Sequence, residues 1–302
     1  MRYMIYALLL SAGVTILLGP ALIPLLKRLK FGQCERELGP KSHLTKQGTP
    51  TMGGLMFIFG ILAGTLAFSL SATELVLPAL LCTVGFALVG FLDDFLKVRC
   101  RNTVGLRAYQ KIIAQFLIAA IVAAYAYKSP FIGPKIYLAF SGLEWDLGVF
   151  YIPFIMFVII ATVNSVNLTD GLDGLSSGVT LIYSLTMGVI FLYLATAMKN
   201  PDGMAQAQQT QYAAELQSMG VFAAAVAGGC LGFLRYNSYP ARVFMGDTGS
   251  LALGGAVAVM AIFSRAVLLL PIMGACFVAS SVSVILQAVS YTHLRAHETR
   301  RH

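Results

Sequence analysis

The sequence predicts an all-α polytopic membrane bundle of about nine spans, and three observations lead there. Mean hydropathy is +0.78 with 11% charged residues among 302, far outside the range of water-soluble domains. Apolar runs of about 18 to 22 residues recur along the whole length, each able to cross a bilayer as a helix with its backbone satisfied internally. With the first span starting outside, sixteen of the 21 Lys and Arg fall on the inner loops and tail and five on the outer segments, the asymmetry that sets orientation in a membrane. Membrane lipids are therefore the first expected partner.

The first span, 3–26, carries Pro20 and Pro24 and lacks a small-residue cleavage site, so it reads as a retained helix rather than a signal peptide. The second, 52–71, opens on Lys46-Gln-Gly-Thr-Pro-Thr-Met-Gly-Gly54. Pro50 fixes the helix entrance, Thr49 and Thr51 can cap, and Gly53 and Gly54 permit close backbone approach. The residues leave two readings open: a plain capped start with small residues for packing, or an anion site made by free amides beside Lys46. The third span, 75–96, closes on Phe91-Leu-Asp-Asp-Phe-Leu-Lys97. Adjacent aspartates on a helix point about 100° apart, so only one of Asp93 and Asp94 can aim squarely into a site. Asp93 and Lys97 share a face. Carboxylates at a helix C-terminus oppose the helix dipole and need compensation, from Mg²⁺ with phosphate or from solvent.

The fourth span, 108–127, leads to an outer loop, 128–148, with Pro130, Gly133, Pro134 and Trp145, an expected interface anchor. The fifth, 149–166, runs into Asn164-Ser-Val-Asn-Leu-Thr-Asp-Gly-Leu-Asp-Gly174. A continuing helix would stack Asn167, Asp170 and Asp173 on one face; Gly171 and Gly174 instead allow a tight loop baring backbone amides. After the sixth span, 175–197, the Gln-rich segment 198–217 reads as an amphipathic or disordered connector to the seventh, 218–234. Asn237 to Ser250 then leads into the eighth, 249–264, with Asp247 placed to cap that helix or to hold Mg²⁺ while its amides take phosphate oxygens. Arg242 and Phe244 add charge and a stacking face. The ninth span is 266–288.

Only thirteen Asp and Glu occur, and Asp93, Asp94, Asp170, Asp173 and Asp247 all fall at the inner ends of spans. Burying carboxylates near lipid costs several kcal/mol unless cations or hydrogen bonds offset it. One polar chamber holding a polyanion through a metal accounts for all five. Other classes fit poorly. Five scattered cysteines imply no disulfide framework or metal spacing, and no Ser-His-Asp or Cys-His pair is arranged for acyl transfer. The net charge of +8 lacks the aromatic interleaving of a nucleic-acid face, so no nucleic acid is expected. Apolar span interiors and the lack of an internal repeat argue against a secondary transporter.

Together, KxGTPTMGG, DDxxK, NLTDGLDGL and VFMGDTGS, in this order, resemble the phospho-N-acetylmuramoyl-pentapeptide transferase family of the polyprenyl-phosphate N-acetylhexosamine-1-phosphate transferase superfamily. The resemblance covers about residues 1–289, expected as a single catalytic membrane domain. It implies a Mg²⁺-dependent enzyme of the bacterial inner membrane with its active site on the cytoplasmic face. Phospho-MurNAc-pentapeptide would pass from UDP-MurNAc-pentapeptide to undecaprenyl phosphate, giving lipid I and UMP. The resemblance makes Asp247 the metal ligand and Asp93 and Asp94 an essential pair, with Asp93 the candidate base on the lipid phosphate. Asn167, Asp170, Asp173, Asn237 and Phe244 would line the uridine and diphosphate pocket, with Thr51, Gly246 and Ser250 completing the binding set. Lys46, Lys97 and Lys111 would be cationic partners. The resemblance leaves room for a homodimer, and a UDP-GlcNAc-using relative is the nearest alternative. Phosphoryl transfer needs positioning and charge neutralisation above all; direct attack by the lipid phosphate is preferred here to a covalent aspartyl route. One departure stands out. The family continues into a His-rich loop and a tenth span, whereas Val289 to His302 is a polar tail, expected to be a foreign or truncated end. The family's histidine role is not transferred to His293 or His297.

Overall fold

A computed structural model describes residues 1–29, 49–69, 72–99, 105–138, 141, 143–197 and 206–298, with side chains up to residue 290. Its helices are α1 (Arg2–Arg28), α2 (Gly54–Phe68), α3 (Val76–Arg99), α4 (Ala108–Lys128), α5 (Tyr151–Thr169), α6 (Leu175–Ala197), α7 (Gln206–Asn237), α8 (Gly246–Phe263), α9 (Leu270–Met273) and α10 (Ala275–Glu298). The chain is a polytopic membrane helix bundle. Among the described residues, seven helices are long and apolar enough to cross a bilayer: α1, α3, α4, α5 with its preceding turn, α6, α7 and α8. The second expected span is α2, only 15 residues long, or about 22 Å at 1.5 Å per residue.

Two expectations need correction. The ninth span is broken: α9 and α10 meet at Gly274 with a bend of 75°, because Gly274 ends the short helix that Pro271 begins. The same helix continues through the polar tail as far as Glu298; no Gly or Pro interrupts 289–298, so nothing stops propagation. The Gln-rich connector is mostly helix too. α7 starts at Gln206 and runs for 32 residues, since 206–217 is built from Ala, Gln, Glu and Leu and buries Tyr212 and Glu215. The sequence also gave no sign of a two-stranded hairpin, β1 (Lys135–Tyr137) against β2 (Glu144–Asp146). Arg265 pins it: the guanidinium lies 4.6 Å from the Tyr137 ring centre and 3.1 Å from the Glu144 carboxylate.

α7 and α8 form the axis of the bundle, with 89% of each spanning window buried, against 22% for α1 and α4 at the perimeter. Every residue of α8 from Thr248 to Phe263 is buried. Its Gly- and Ala-rich surface lets neighbours approach closely, the usual route to tight helix contact in a membrane. At Gly90 of α3 a Cβ would stand 2.1 Å from the Asp247 carbonyl oxygen, so only glycine permits that crossing. One turn further along α3 lie Asp93 and Asp94.

The helices alternate in direction. The C-terminal ends of α3, α5 and α7 meet the N-terminal ends of α2, α4, α6 and α8 at one end of the bundle, called here the site end. At the opposite end, the buried Glu215 of α7 accepts the amides of Leu75 at 2.9 Å and Glu74 at 3.2 Å, capping α3 from a neighbouring helix. Tyr125 of α4 adds a hydrogen bond from its hydroxyl to the Glu74 carbonyl. Replacing Glu215 with Ala should cost about 1–2 kcal/mol, the worth of a lost cap, read as a lower thermal unfolding midpoint in detergent, with Glu215→Gln recovering part. Equal midpoints for all three proteins would refute the capping role.

Candidate active site

The site is built on the N-terminus of α8. Gly246 begins it at φ +71, a left-handed conformation suited to glycine, and a Cβ there would stand 2.5 Å from Asp94 Oδ2 and 2.7 Å from Thr51 Oγ1. Met245, at the N-cap, supplies no side-chain cap. Asp94 does so from α3: its carboxylate accepts the amides of Asp247 at 3.2 Å and Thr248 at 2.8 Å, and the Thr248 hydroxyl at 2.7 Å. Of the two readings open for Asp247, capping falls away, and the amides of Asp247 and Thr248 that the other reading gave to phosphate are taken by Asp94. The close α3–α8 crossing at Gly90 explains why the cap comes from another helix.

Asp247, released from capping, turns its carboxylate outward. Oδ1 accepts Asn167 Nδ2 at 2.7 Å, and Oδ2 accepts Lys97 Nζ at 2.7 Å and Lys111 Nζ at 3.2 Å. Asn167 Nδ2 also reaches Ser250 Oγ at 2.7 Å. Asp93, buried on α3, holds Lys97 Nζ at 2.6 Å and accepts the Leu106 amide at 2.7 Å. Lys111 lies 4.0 Å from it. One carboxylate oxygen from each of Asp93, Asp94 and Asp247 falls within 4.8 Å of the others. Among the described residues, three carboxylates against two ammonium groups leave a negative balance, and hard oxygen donors so grouped suit a hard divalent cation. The dipole conflict foreseen for Asp93 and Asp94 is met within the protein: Asp94 faces the positive end of α8, and Asp93 has Lys97.

At the start of α2, the amides of Gly53 and Gly54 donate to the carbonyls of Phe244 and Met245 at 2.9 and 3.0 Å, and the Phe244 amide donates to the Pro50 carbonyl at 2.9 Å. The free-amide anion site expected there is thus occupied by backbone pairing, which fixes 50–54 against the segment leading into α8. Thr51 is buried in that pairing, beside Gly246. Lys46 lies outside the described residues.

The NLTDGLDG stretch leaves the helix. α5 ends at Thr169 with Asp170 at its C-cap, so Asn167, Asp170 and Asp173 do not stack on one face, and the loop reading holds. Asp173 accepts the Ala241 amide at 3.1 Å. Asp170 has no hydrogen bond or ion pair to its carboxylate among the described residues. Burial, then the charges of Asp247, Asp94 and Asp173, push that carboxyl well above its ordinary pKa. Asn237 is buried, and its amide is spent inside the protein: Oδ1 accepts the Gly174 amide at 3.1 Å and the Ser177 hydroxyl at 3.3 Å, while Nδ2 donates to the Val243 carbonyl at 3.0 Å. It ties the start of α6 to the loop that carries Phe244.

Two residues escaped the sequence reading. Thr248 completes the Asp94 cap. Gln115, fully buried on α4, pairs with Asn164 of α5: Asn164 Nδ2 lies 2.8 Å from Gln115 Oε1, and Gln115 Nε2 lies 3.4 Å from Asn164 Oδ1. Gln115 sits one turn beyond Lys111, and Asn164 one turn before Asn167. The amide pair therefore locks together the two helices that bring Lys111 and Asn167 to Asp247. A lone Gln inside an apolar span was the available signal.

Residues 76–265 match the family model described as glycosyl transferase family 4, and residues 46–58 match the first phospho-N-acetylmuramoyl-pentapeptide-transferase signature. Curated relatives agree. The phospho-N-acetylmuramoyl-pentapeptide-transferase of Clostridioides difficile strain 630 is 45% identical over 93% of this chain and 81% of its own length. The like-named proteins of Thermoanaerobacter sp. strain X514 and Desulfitobacterium hafniense are 46% and 44% identical, over 96% and 93% of this chain and 85% and 82% of theirs.

Asp94→Asn and Thr248→Val should each lower stability, by about 1–2 and about 1 kcal/mol for a weakened cap and one lost hydrogen bond. Their losses should combine less than additively in a double-mutant cycle of thermal unfolding, because both remove the same contact. Strict additivity would contradict the cap.

Proposed function

Since the chain belongs to the phospho-N-acetylmuramoyl-pentapeptide-transferase family, we propose that it transfers phospho-MurNAc-pentapeptide from UDP-MurNAc-pentapeptide to undecaprenyl phosphate in the bacterial inner membrane, releasing UMP and leaving lipid I. The observation that carries this reading is the meeting of Asp93, Asp247, Lys97, Lys111 and Asn167 at one end of a membrane bundle. That combination gives charge neutralisation and positioning, the two things phosphoryl transfer asks of a protein.

Each residue takes a separate task. Asp94 holds α8 in place and reacts with nothing. Asp247, oriented by Asn167, would be the principal ligand for Mg²⁺, with Asp93 in the same carboxylate group. The ion's contribution when bound is to offset charge on the diphosphate. Lys97 and Lys111 pair with diphosphate oxygens and with the departing UMP. Asp93, fixed through one oxygen by the Leu106 amide, holds the proton of the acceptor phosphate so that the lipid attacks fully ionised. Phe244 and Asp170 face the uridine, while Asp173 and Asn237 shape the loop around it. The site end lies at the cytoplasmic face, where the basic loops and the water-soluble nucleotide both are.

Membranes bearing the protein, supplied with both substrates and Mg²⁺, should release UMP and stop on chelation. Asp247→Asn should reduce release about 10²-fold or more with the unfolding midpoint retained. Absence of both UMP release and Mg²⁺-dependent binding of UDP-MurNAc-pentapeptide, or turnover of UDP-GlcNAc in its place, would overturn the assignment. Gln115→Leu should lower kcat about tenfold through misplacement of Lys111 while KM changes little. An unchanged kcat would remove its positioning role.

A further inference from the structure

We propose that the site end of α7 carries a second binding site, for the phosphate headgroup of an anionic phospholipid. A cavity of about 240 Å³ there is lined by Arg235, Tyr236, Ser238, Tyr239, Pro240 and Arg242. Two arginines share this small space, and neither is ion-paired among the described residues. The fold brings them together: the Arg242 amide donates to the Tyr236 carbonyl at 2.8 Å, turning the chain back on the end of α7. Paired guanidinium forks on one concavity match the oxygens of a phosphate better than they match a single carboxylate.

The position favours a lipid over a soluble anion. Tyr236 donates its hydroxyl to the Ile16 carbonyl of α1 at 2.8 Å. Its ring fills the notch at Gly19, where a Cβ would stand 2.3 Å from it. The pocket thus abuts α1, a perimeter helix with only 22% of its spanning window buried, along which acyl chains can run. Tyr239 is 83% exposed, an amphipathic ring of the kind found at headgroup depth. The Ser238 hydroxyl is spent on the Leu234 carbonyl at 2.7 Å, so the arginines and Tyr239 supply the donors. Among the described residues, the neighbouring carboxylate of Asp173 grips the Ala241 amide of the same loop without lining the pocket. A bound headgroup would brace the loop that continues into Phe244 and Asp247.

The test is lipid retention by the full chain in mixed micelles of phosphatidylglycerol and phosphatidylcholine, counted by native mass spectrometry. Wild type should retain phosphatidylglycerol preferentially. Arg235→Gln and Arg242→Gln should each lower that preference about fivefold, the equivalent of about 1 kcal/mol per basic group near a lipid surface. Arg99→Gln, a basic residue outside the pocket, should leave it unchanged. Millimolar inorganic phosphate or UDP should not displace the lipid; displacement by either would make the pocket a soluble-phosphate or nucleotide site and overturn the proposal. Displacement by undecaprenyl phosphate would likewise overturn it in favour of the acceptor. So would equal retention of both lipids by wild type, a result independent of how the variants fold and of the transferase reaction.

Discussion

The contact between the Asp94 carboxylate and the first amides of α8 is the one on which the site depends. It closes two deficits together, a buried negative charge on α3 and an uncapped helix start on α8, each of which would cost free energy alone. Because Asp94 does the capping, the carboxylate of Asp247 in that same first turn of α8 is left for Asn167, Lys97 and Lys111. Glycine at 90 and at 246 makes the contact reachable: a side chain at either position would push α3 from α8 or strike the carboxylate itself.

The same device recurs at the opposite end, where Glu215 of α7 caps α3. Two acids borrowed from neighbouring helices thus link α7 to α3 and α3 to α8, so the central packing and the charged cluster are one mechanical unit. α4 and α5 join it through the Gln115–Asn164 pair, and α2 through its backbone pairing with 244–245. The helices that contribute charged groups, α3, α4 and α8, are each fixed by a hydrogen-bonded contact within about one turn of those groups.

Much of this was legible in the sequence. Length and hydropathy predicted the bundle, and the scarcity of acids made the meeting of Asp93, Asp94 and Asp247 predictable. The Asp93–Lys97 pairing followed from helical spacing alone. What could not be read were contacts between distant segments. Whether an amide at a helix start is free depends on what packs against it, and both presumed anion sites proved occupied, one by Asp94 and the other by carbonyls of Phe244 and Met245. Asn237 looks like a ligand-facing amide in one dimension and is an internal tie in three. The break at Gly274 and the early start of α7 turn on single glycines and on helix propensity, where hydropathy windows are blunt.

The burial of α8 bears on how the polypeptide is made. Its spanning window has a mean hydropathy of 1.4, the lowest of the seven, and it presents almost no surface to lipid. Such a segment gains little from the bilayer alone and is held by its companions instead. Translation supplies them in a workable sequence: α3 and α5, its chief neighbours, precede it from the ribosome, so a groove lined by earlier segments is ready when α8 is synthesised. Biogenesis of the charged cluster is therefore late, and a defect in α3 would surface as failed integration of α8, whose Thr248 lies 154 residues beyond Asp94.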